Sequence, residues 1–244
     1  MSTYIHPIAD LHTHTVFSPH AYSTVTENAA AAARAGLCLM ACTDHGEKTP
    51  DTGHHWHFTN MKILPPYIEG VRVLHGIEAN VLDHSGALDL TPSLREQLDW
   101  VIASMHGGTM PKGSVEEISA AWVTVAKNPD VDMIGHCGTP QFAFDYEAVI
   151  PLFGQYGKVV EINEGSFRVR RDSYENCKRI ALLCKQHGVR IAVNSDAHFH
   201  AHVGQFAESV AMLEDIGFPP ELIVNNSKET LQNFLQEKGV CVTW

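Results

Sequence analysis

The run Ile8-Ala9-Asp10-Leu11-His12-Thr13-His14 starts apolar and ends in two imidazoles set one residue apart. Side chains alternate along an extended strand, so His12 and His14 leave the same face. The design recurs. Short apolar runs at Leu37 to Thr43, Val71 to Ile77, Trp100 to Met105, Val131 to Gly135, Lys158 to Ile162 and Val189 to Asn194 make seven with Ile8 to His12. Most are continuous rather than alternating, the pattern of parallel strands covered on both faces. Helical patterns separate them. Glu27 to Gly36 is alanine-rich and closes on a C-cap glycine. Ser114 to Lys127 opens with Ser114 and Glu117 spaced as a capping box. Asp172 to His187, Val203 to Ile216 and Ser227 to Lys238 repeat apolar residues at helical spacing. Asn80 to Leu90 reads as a hairpin turn between short strands, and Thr49 to Asn60 as a polar, histidine-rich loop. No linker or repeat interrupts the series, which predicts one α/β domain over 1–244 with its parallel sheet closed as a TIM-like barrel.

The residues at the strand ends carry the chemistry. After His12 and His14 come Thr43-Asp44-His45-Gly46, Gly76-Ile77-Glu78, Ser104-Met105-His106, Gly135-His136-Cys137-Gly138 and Asn194-Ser195-Asp196-Ala197-His198. Six of the seven strands thus deliver an imidazole or carboxylate at the carboxyl end. In a barrel those ends form one rim, where active sites sit. A divalent metal takes neutral imidazoles and carboxylates at about 2 Å. Without one, the same groups would be desolvated with no partner. Each short motif alone is commonplace; all of them at strand ends together point to a metal site.

Composition narrows the partners. Sixteen histidines stand beside 17 Lys plus Arg and 28 Asp plus Glu, for a net charge of −11. Histidine is the commonest metal ligand, and its excess fits metal chemistry. The acidic balance argues against general nucleic-acid or anionic-membrane binding. No apolar run nears the ~20 residues of a membrane helix, and the first residues lack a secretory signal. Cys38, Cys42, Cys137, Cys177, Cys184 and Cys241 lack zinc-knuckle spacing, and all but Cys137 read as small hydrophobes in a reducing cytoplasm. His6, His75 and His187 have no strand-end placement; His200 and His202 read as solvent-facing.

These motifs are similar to those of the PHP (polymerase and histidinol phosphatase) metal-dependent phosphoesterases. With His20 in Ser-Pro-His-Ala-Tyr-Ser and His54-His55-Trp56-His57-Phe58, the chain resembles the small stand-alone YcdX-type bacterial phosphatases of that family over essentially its whole length. The resemblance implies a distorted (β/α)7 barrel and three divalent metal ions, zinc by donor type, with manganese or iron accessible. His12, His14, Glu78 and Asp196 would hold one ion. Glu78, His106 and His136 would hold a second, and His20, His45 and His198 the third. Relatives commonly have proline where this chain has Cys137; a turn-filling thiol is the expectation there.

The expected nucleophile is a metal-bridging hydroxide, consistent with the lack of a Gly-x-Ser-x-Gly elbow or P-loop. Asp10 and Asp44 are expected to orient ligand imidazoles. Arg168 is the choice for phosphate, with Arg170 and Arg171 as neighbours. His54, His55 and His57 form a candidate substrate loop. The expected substrate is a small phosphomonoester. Two other readings are a C–N hydrolase of the amidohydrolase type and a non-catalytic metal-binding protein. The oligomeric state is not legible.

Overall fold

A computed structural model describes residues 4–242. Seven parallel strands form the barrel in chain order: β1 (Ala9–Thr13), β2 (Leu39–Cys42), β4 (Val71–Asn80), β5 (Trp100–Ser104), β6 (Met133–Ile134), β7 (Val159–Asn163) and β8 (Ile191–Asn194). A two-residue strand, β3 (Tyr67–Ile68), adds to β4 antiparallel. The helices are α1 (Val25–Arg34), α2 (Trp56–Asn60), α3 (Pro92–Arg95), α4 (Val115–Lys127), α5 (Tyr146–Gln155), α6 (Glu164–Val169), α7 (Ser173–His187), α8 (Ala207–Asp215) and α9 (Lys228–Glu237). Local chemistry places several of them. Ser114 and Glu117 form the expected capping box on α4, and α7 ends on Gly188 at φ 66°.

All seven expected strands are present. The helix α5 was not expected, because Pro151 and Gly154 mask its helical period. The polar loop at 49–60 ends in α2. The hairpin narrows to its turn, with Leu82 N–H donating to the Ala87 carbonyl at 2.8 Å and a single bridge between Val81 and Leu88. The helix expected from Val203 starts only at Ala207.

The barrel is distorted between β8 and β1. These strands share no ladder, only a bridge between Thr13 and Ala197. Lower down, residues 223–225 slip between them: Val224 N–H donates to the Ile191 carbonyl at 2.9 Å and Ile8 N–H to the Asn225 carbonyl at 2.8 Å. The Asn225 side chain stitches both edges, donating to Ala9 and Val193 carbonyls and accepting from Val193 N–H. Backbone groups at the open seam are thereby satisfied.

Two apolar layers hold the fold. Outward-facing residues such as Met40, Val73, Val101, Ile134 and Val160 pack beneath the helices. Inward-facing Leu11, Leu39, Leu74, Trp100, Ile102 and Met133 fill the lower barrel, and Leu231, Phe234 and Leu235 of α9 close its amino-terminal end. The Trp100 indole donates to the Leu11 carbonyl at 3.0 Å, which satisfies its buried N–H.

Candidate metal centre

A β-bulge aims the first two imidazoles. Asp10 pairs with Met40, but Thr13 pairs with Cys42, so three steps on β1 oppose two on β2. The extra residue lets Leu11 and His12 both face inward, and His14 follows on the same side. Bulges beside functional sites re-aim side chains in this way. His136 (φ 21°) and Asp196 (φ 52°) bend sharply after β6 and β8 in left-handed backbone, conformations that non-glycine residues hold at a cost and that cluster at functional sites. Glu78 lies inside β4, its N–H donating to the Asp44 carbonyl and its carbonyl accepting from Gly46.

These elements bring all nine sequence-predicted ligand residues together. His12 Nε2 lies 3.1 Å from His14 Nε2 and 3.4 Å from Glu78 Oε1. Asp196 Oδ1 is 3.1 Å from His14 Nε2 and 3.5 Å from His12 Nε2. On the far side of Glu78, Oε1 lies 2.9 Å from His136 Nε2 and 3.3 Å from His106 Nε2, themselves 3.2 Å apart. Above, His20 Nε2 lies 2.9 Å from His198 Nε2 and 3.3 Å from His45 Nε2. Three sets place their donor atoms within 4.8 Å of one another: His12, His14 and Asp196; His45, Glu78 and His106; and His14, His45 and His198.

The outer nitrogens decide what the inner ones present. His12 Nδ1 donates to Glu161 Oε1 at 2.7 Å. His14 Nδ1 donates to Ser18 Oγ at 3.1 Å, and that hydroxyl donates to Asp44 Oδ1 at 2.7 Å. His106 Nδ1 donates to Asn80 Oδ1 at 2.8 Å, and His198 Nδ1 to the Asp196 carbonyl at 3.0 Å. In the neutral rings these bonds fix the tautomer and leave Nε2 as a lone pair facing the centre. Where these rings are neutral, their lone pairs face one another and the carboxylate oxygens, while His136 Nε2 is placed to donate to Glu78 Oε1 at 2.9 Å. Asp196 Oδ1 and Glu78 Oε2 are buried without a hydrogen-bond partner; His45 Nδ1 comes within 2.6 Å of Glu78 Oε2, yet the two form no hydrogen bond. Buried polar atoms are rarely left so. The donor set, imidazole nitrogen with carboxylate oxygen, fits zinc and its neighbours.

The carboxylates favour positive charge at His12, whereas burial and neighbouring cationic groups disfavour it at His14 and His136. Burial alone would favour neutral His12, but Glu161, Asp196 and Glu78 overturn this and hold its proton well above the imidazole range. Burial, with His198 and His45 opposite, drives His14 well below it. His136 falls to about 4 through burial and the nearby Arg170. Burial would raise Glu78 and Asp196, yet the surrounding imidazoles pull both well below the carboxylate range.

Glu161 was not among the residues expected from the sequence. It lies in the middle of β7, not at its end, and also accepts from His136 N–H and the Asn163 and Asn194 amides. Its signal was a lone carboxylate in the buried run Val159-Val160-Glu161-Ile162, which would be costly unless partnered. Asp44 does reach the His14 imidazole, through Ser18. It also accepts from Thr15 and from His57 Nε2 at 3.0 Å; against burial, the His57 bond leads in lowering it to about 2. Asp10 bonds no imidazole. It accepts from Ser195 and from Gly204 N–H, locking the β1–β8 seam.

Two cavities open onto the centre. One, about 220 Å³, is lined by His20, His45, His106, His198, Thr49 and Arg170 among others. The second, about 350 Å³, shares His20, His198 and Arg170 and adds Arg168, Val169 and His202. Arg171 is almost fully exposed beside Asp172. His202 therefore borders the site, whereas His200 meets Ser23. His57 stacks on Phe17 and is committed to Asp44; His54 and His55 are exposed around Trp56 and line neither cavity. Cys137 is buried, its thiol pushed well up by burial and by Cys177 and Cys184. It fills the core behind His136, as expected of a turn-filling thiol.

The chain matches the PHP domain over residues 10–165. It is 46% identical over 233 residues to a probable phosphatase of Caldanaerobacter subterraneus subsp. tengcongensis, across 95% of this chain and 92% of that one. It is 42% identical over 232 residues to a probable phosphatase of Clostridium botulinum, across 95% and 96%. Its backbone is similar to the histidinol phosphate phosphatase of Lactococcus lactis, solved with zinc, L-histidinol and phosphate, at TM-score 0.59 and 14% identity over 87% and 95% of the two chains. With the domain match spanning most of its length and relatives above 40% identity across 95% of it, the chain belongs to the PHP domain family.

Proposed function

We propose that this PHP-family phosphatase hydrolyses a small phosphomonoester at a centre of three divalent metal ions. The observation that carries the reading is the set of inward lone pairs: four imidazoles with their outer nitrogens tied, and two buried carboxylates with unpartnered oxygens. His12, His14, Glu78 and Asp196 would hold one ion, Glu78, His106 and His136 a second, and His20, His45 and His198 the third. Zinc suits these donors, and manganese or iron is compatible. Such ions, when bound, supply Lewis acidity and activate water as a nucleophile.

The chain's own residues do the rest. Glu161 keeps the His12 proton on Nδ1, and Ser18 with Asp44 does so for His14. Arg170 stands where both cavities meet, steadied by Ser166 Oγ at 2.8 Å, with Asp196 Oδ2 at 3.5 Å. Its planar fork can take two phosphoryl oxygens. Arg168, on the neighbouring cavity wall, is the second anion-binding group. The net charge of −11 favours a small anionic substrate over a polyanion, since the positive charge would be confined to one rim. No helix among the described residues is long and apolar enough to cross a membrane, and six free cysteines suit a reducing cytoplasm.

The test is metal analysis joined to a substrate panel. Purified protein should carry about three equivalents of divalent metal and release phosphate from p-nitrophenyl phosphate. Turnover of cyclic amides without phosphate release would overturn the reading in favour of a C–N hydrolase. Tight metal binding with no turnover of any phosphoester would favour a non-catalytic role.

A further inference from the structure

Arg168 stands apart from its neighbours. Arg170 is tied to Ser166 and Asp196, and Arg171 leans toward Asp172. Arg168 makes no ion pair or side-chain hydrogen bond among the described residues, although the chain holds 28 carboxylates. It faces the 350 Å³ cavity beside His202, and that cavity shares His20 and His198 with the metal centre. Its place is built, not incidental. A Cβ on Gly165 would meet the Ser195 carbonyl at 2.8 Å, so only glycine lets the start of α6, the helix that carries Arg168, press against the end of β8. Arg168 lies in the last turn of α6, whereas Arg170 caps that helix in extended backbone, and of the two only Arg170 also lines the smaller cavity. Arg170 therefore reaches the metal-side cavity, and Arg168 serves the larger cavity alone.

We propose that the larger cavity is a second anion subsite, in which Arg168 and His202 bind a carboxylate or a second phosphate on the substrate while the scissile phosphoryl group lies under Arg170. The proposal rests on the phosphatase reading above and names its substrate class: a small metabolite with an anionic group beyond the ester that is cleaved.

Steady-state kinetics of the metal-loaded enzyme on matched pairs tests this. 3-Phosphoglycerate against glycerol 3-phosphate probes a carboxylate; fructose 1,6-bisphosphate against fructose 6-phosphate probes a second phosphate. The wild type should prefer the second-anion member of at least one pair by about tenfold in KM, the scale of one charge-assisted hydrogen bond. In Arg168→Met that preference should fall below roughly threefold, with KM moving more than kcat, and Arg168→Lys should restore part of it. His202→Asn should cost a smaller share. Equal KM within both pairs, or a preference untouched in Arg168→Met, would overturn the subsite while leaving the phosphatase reading intact. No phosphate release from any of these or from p-nitrophenyl phosphate would reject the phosphatase reading and the subsite with it.

Discussion

Two buried carboxylates at opposite ends of the barrel are treated in opposite ways. Asp132, at the amino-terminal end, accepts from Val101 N–H at 3.0 Å and has Arg95 at 3.5 Å and Lys238 at 3.7 Å. These partners belong to the chain itself, although burial still outweighs them and raises the carboxyl above its usual range. Glu78, at the carboxyl end, is surrounded by His12, His45, His106 and His136, and its Oε2 has no hydrogen-bond partner. The lower carboxylate meets permanent cations and a backbone N–H of the chain, whereas the upper one meets only imidazoles and keeps an oxygen without a hydrogen-bond partner. Barrels commonly divide stability from chemistry along this axis, and here the division can be seen in the partners of two single residues.

The largest effect should come from removing the charge at the top. In Glu78→Gln, phosphate release should fall by more than about a thousandfold, beyond roughly 4 kcal/mol of transition-state stabilisation. Metal content should fall with it, and thermal unfolding followed by circular dichroism should remain cooperative. A variant that unfolds but turns over normally when folded would erase the contrast. At the other end, Phe234→Ala removes the ring that plugs the barrel against Trp100, 5.8 Å away edge-on. It should cost about 3 kcal/mol of stability in urea denaturation, with kcat of the folded enzyme nearly unchanged.

Glu161 sharpens the comparison because it belongs to the top but binds only protein groups. Glu161→Gln keeps an oxygen for some of the four donors while weakening the grip on His12 Nδ1. Metal affinity or activity should drop 10- to 100-fold, roughly the loss seen when a group that orients a ligand histidine is removed. A competition titration with a chromogenic chelator measures it. An effect as large as that of Glu78→Gln would mean that Glu161 touches the metal directly.

This same residue marks where the sequence stops being legible. The strand ends could be read because each carries a local signature: an apolar run, then His12 and His14, His45, Glu78, His106, His136, or Asp196 and His198. The order of parallel strands followed from that rhythm. The bulge in β1 did not, because it is a register relation to Met40 and Cys42, thirty residues away. The seam was equally hidden: Asn225 and Asp10 act there across nearly the length of the chain. Asp10 sits beside a ligand in sequence and was expected to orient it; in space it faces Ser195 and Gly204. Residues two apart share a face on a regular strand, but the bulge between Asp10 and Thr13 turns His12 inward and leaves Asp10 on the other side.

The smallest effect probes the lower end through pH. Lys158 is almost fully buried, its ammonium donating to the Asn128 and Val131 carbonyls at 2.5 and 2.6 Å, and burial, with Lys238 nearby, pulls it from 10.5 down to about 8. A lysine whose folded value is depressed is held charged at a cost below that value. Between about 8 and 10.5 the unfolded chain binds more protons at this site than the folded one, so stability from this group rises with pH across that window. Lys158→Met lacks the titration. Urea midpoints of wild type and variant, taken from pH 7.5 to 10.5, should therefore separate progressively in favour of the wild type, whatever the offset at neutral pH. Parallel curves would show that the ammonium is as well solvated in the fold as in water. In that case the lower end would not be the dry region in which the chain's own groups only partly offset the burial of charge.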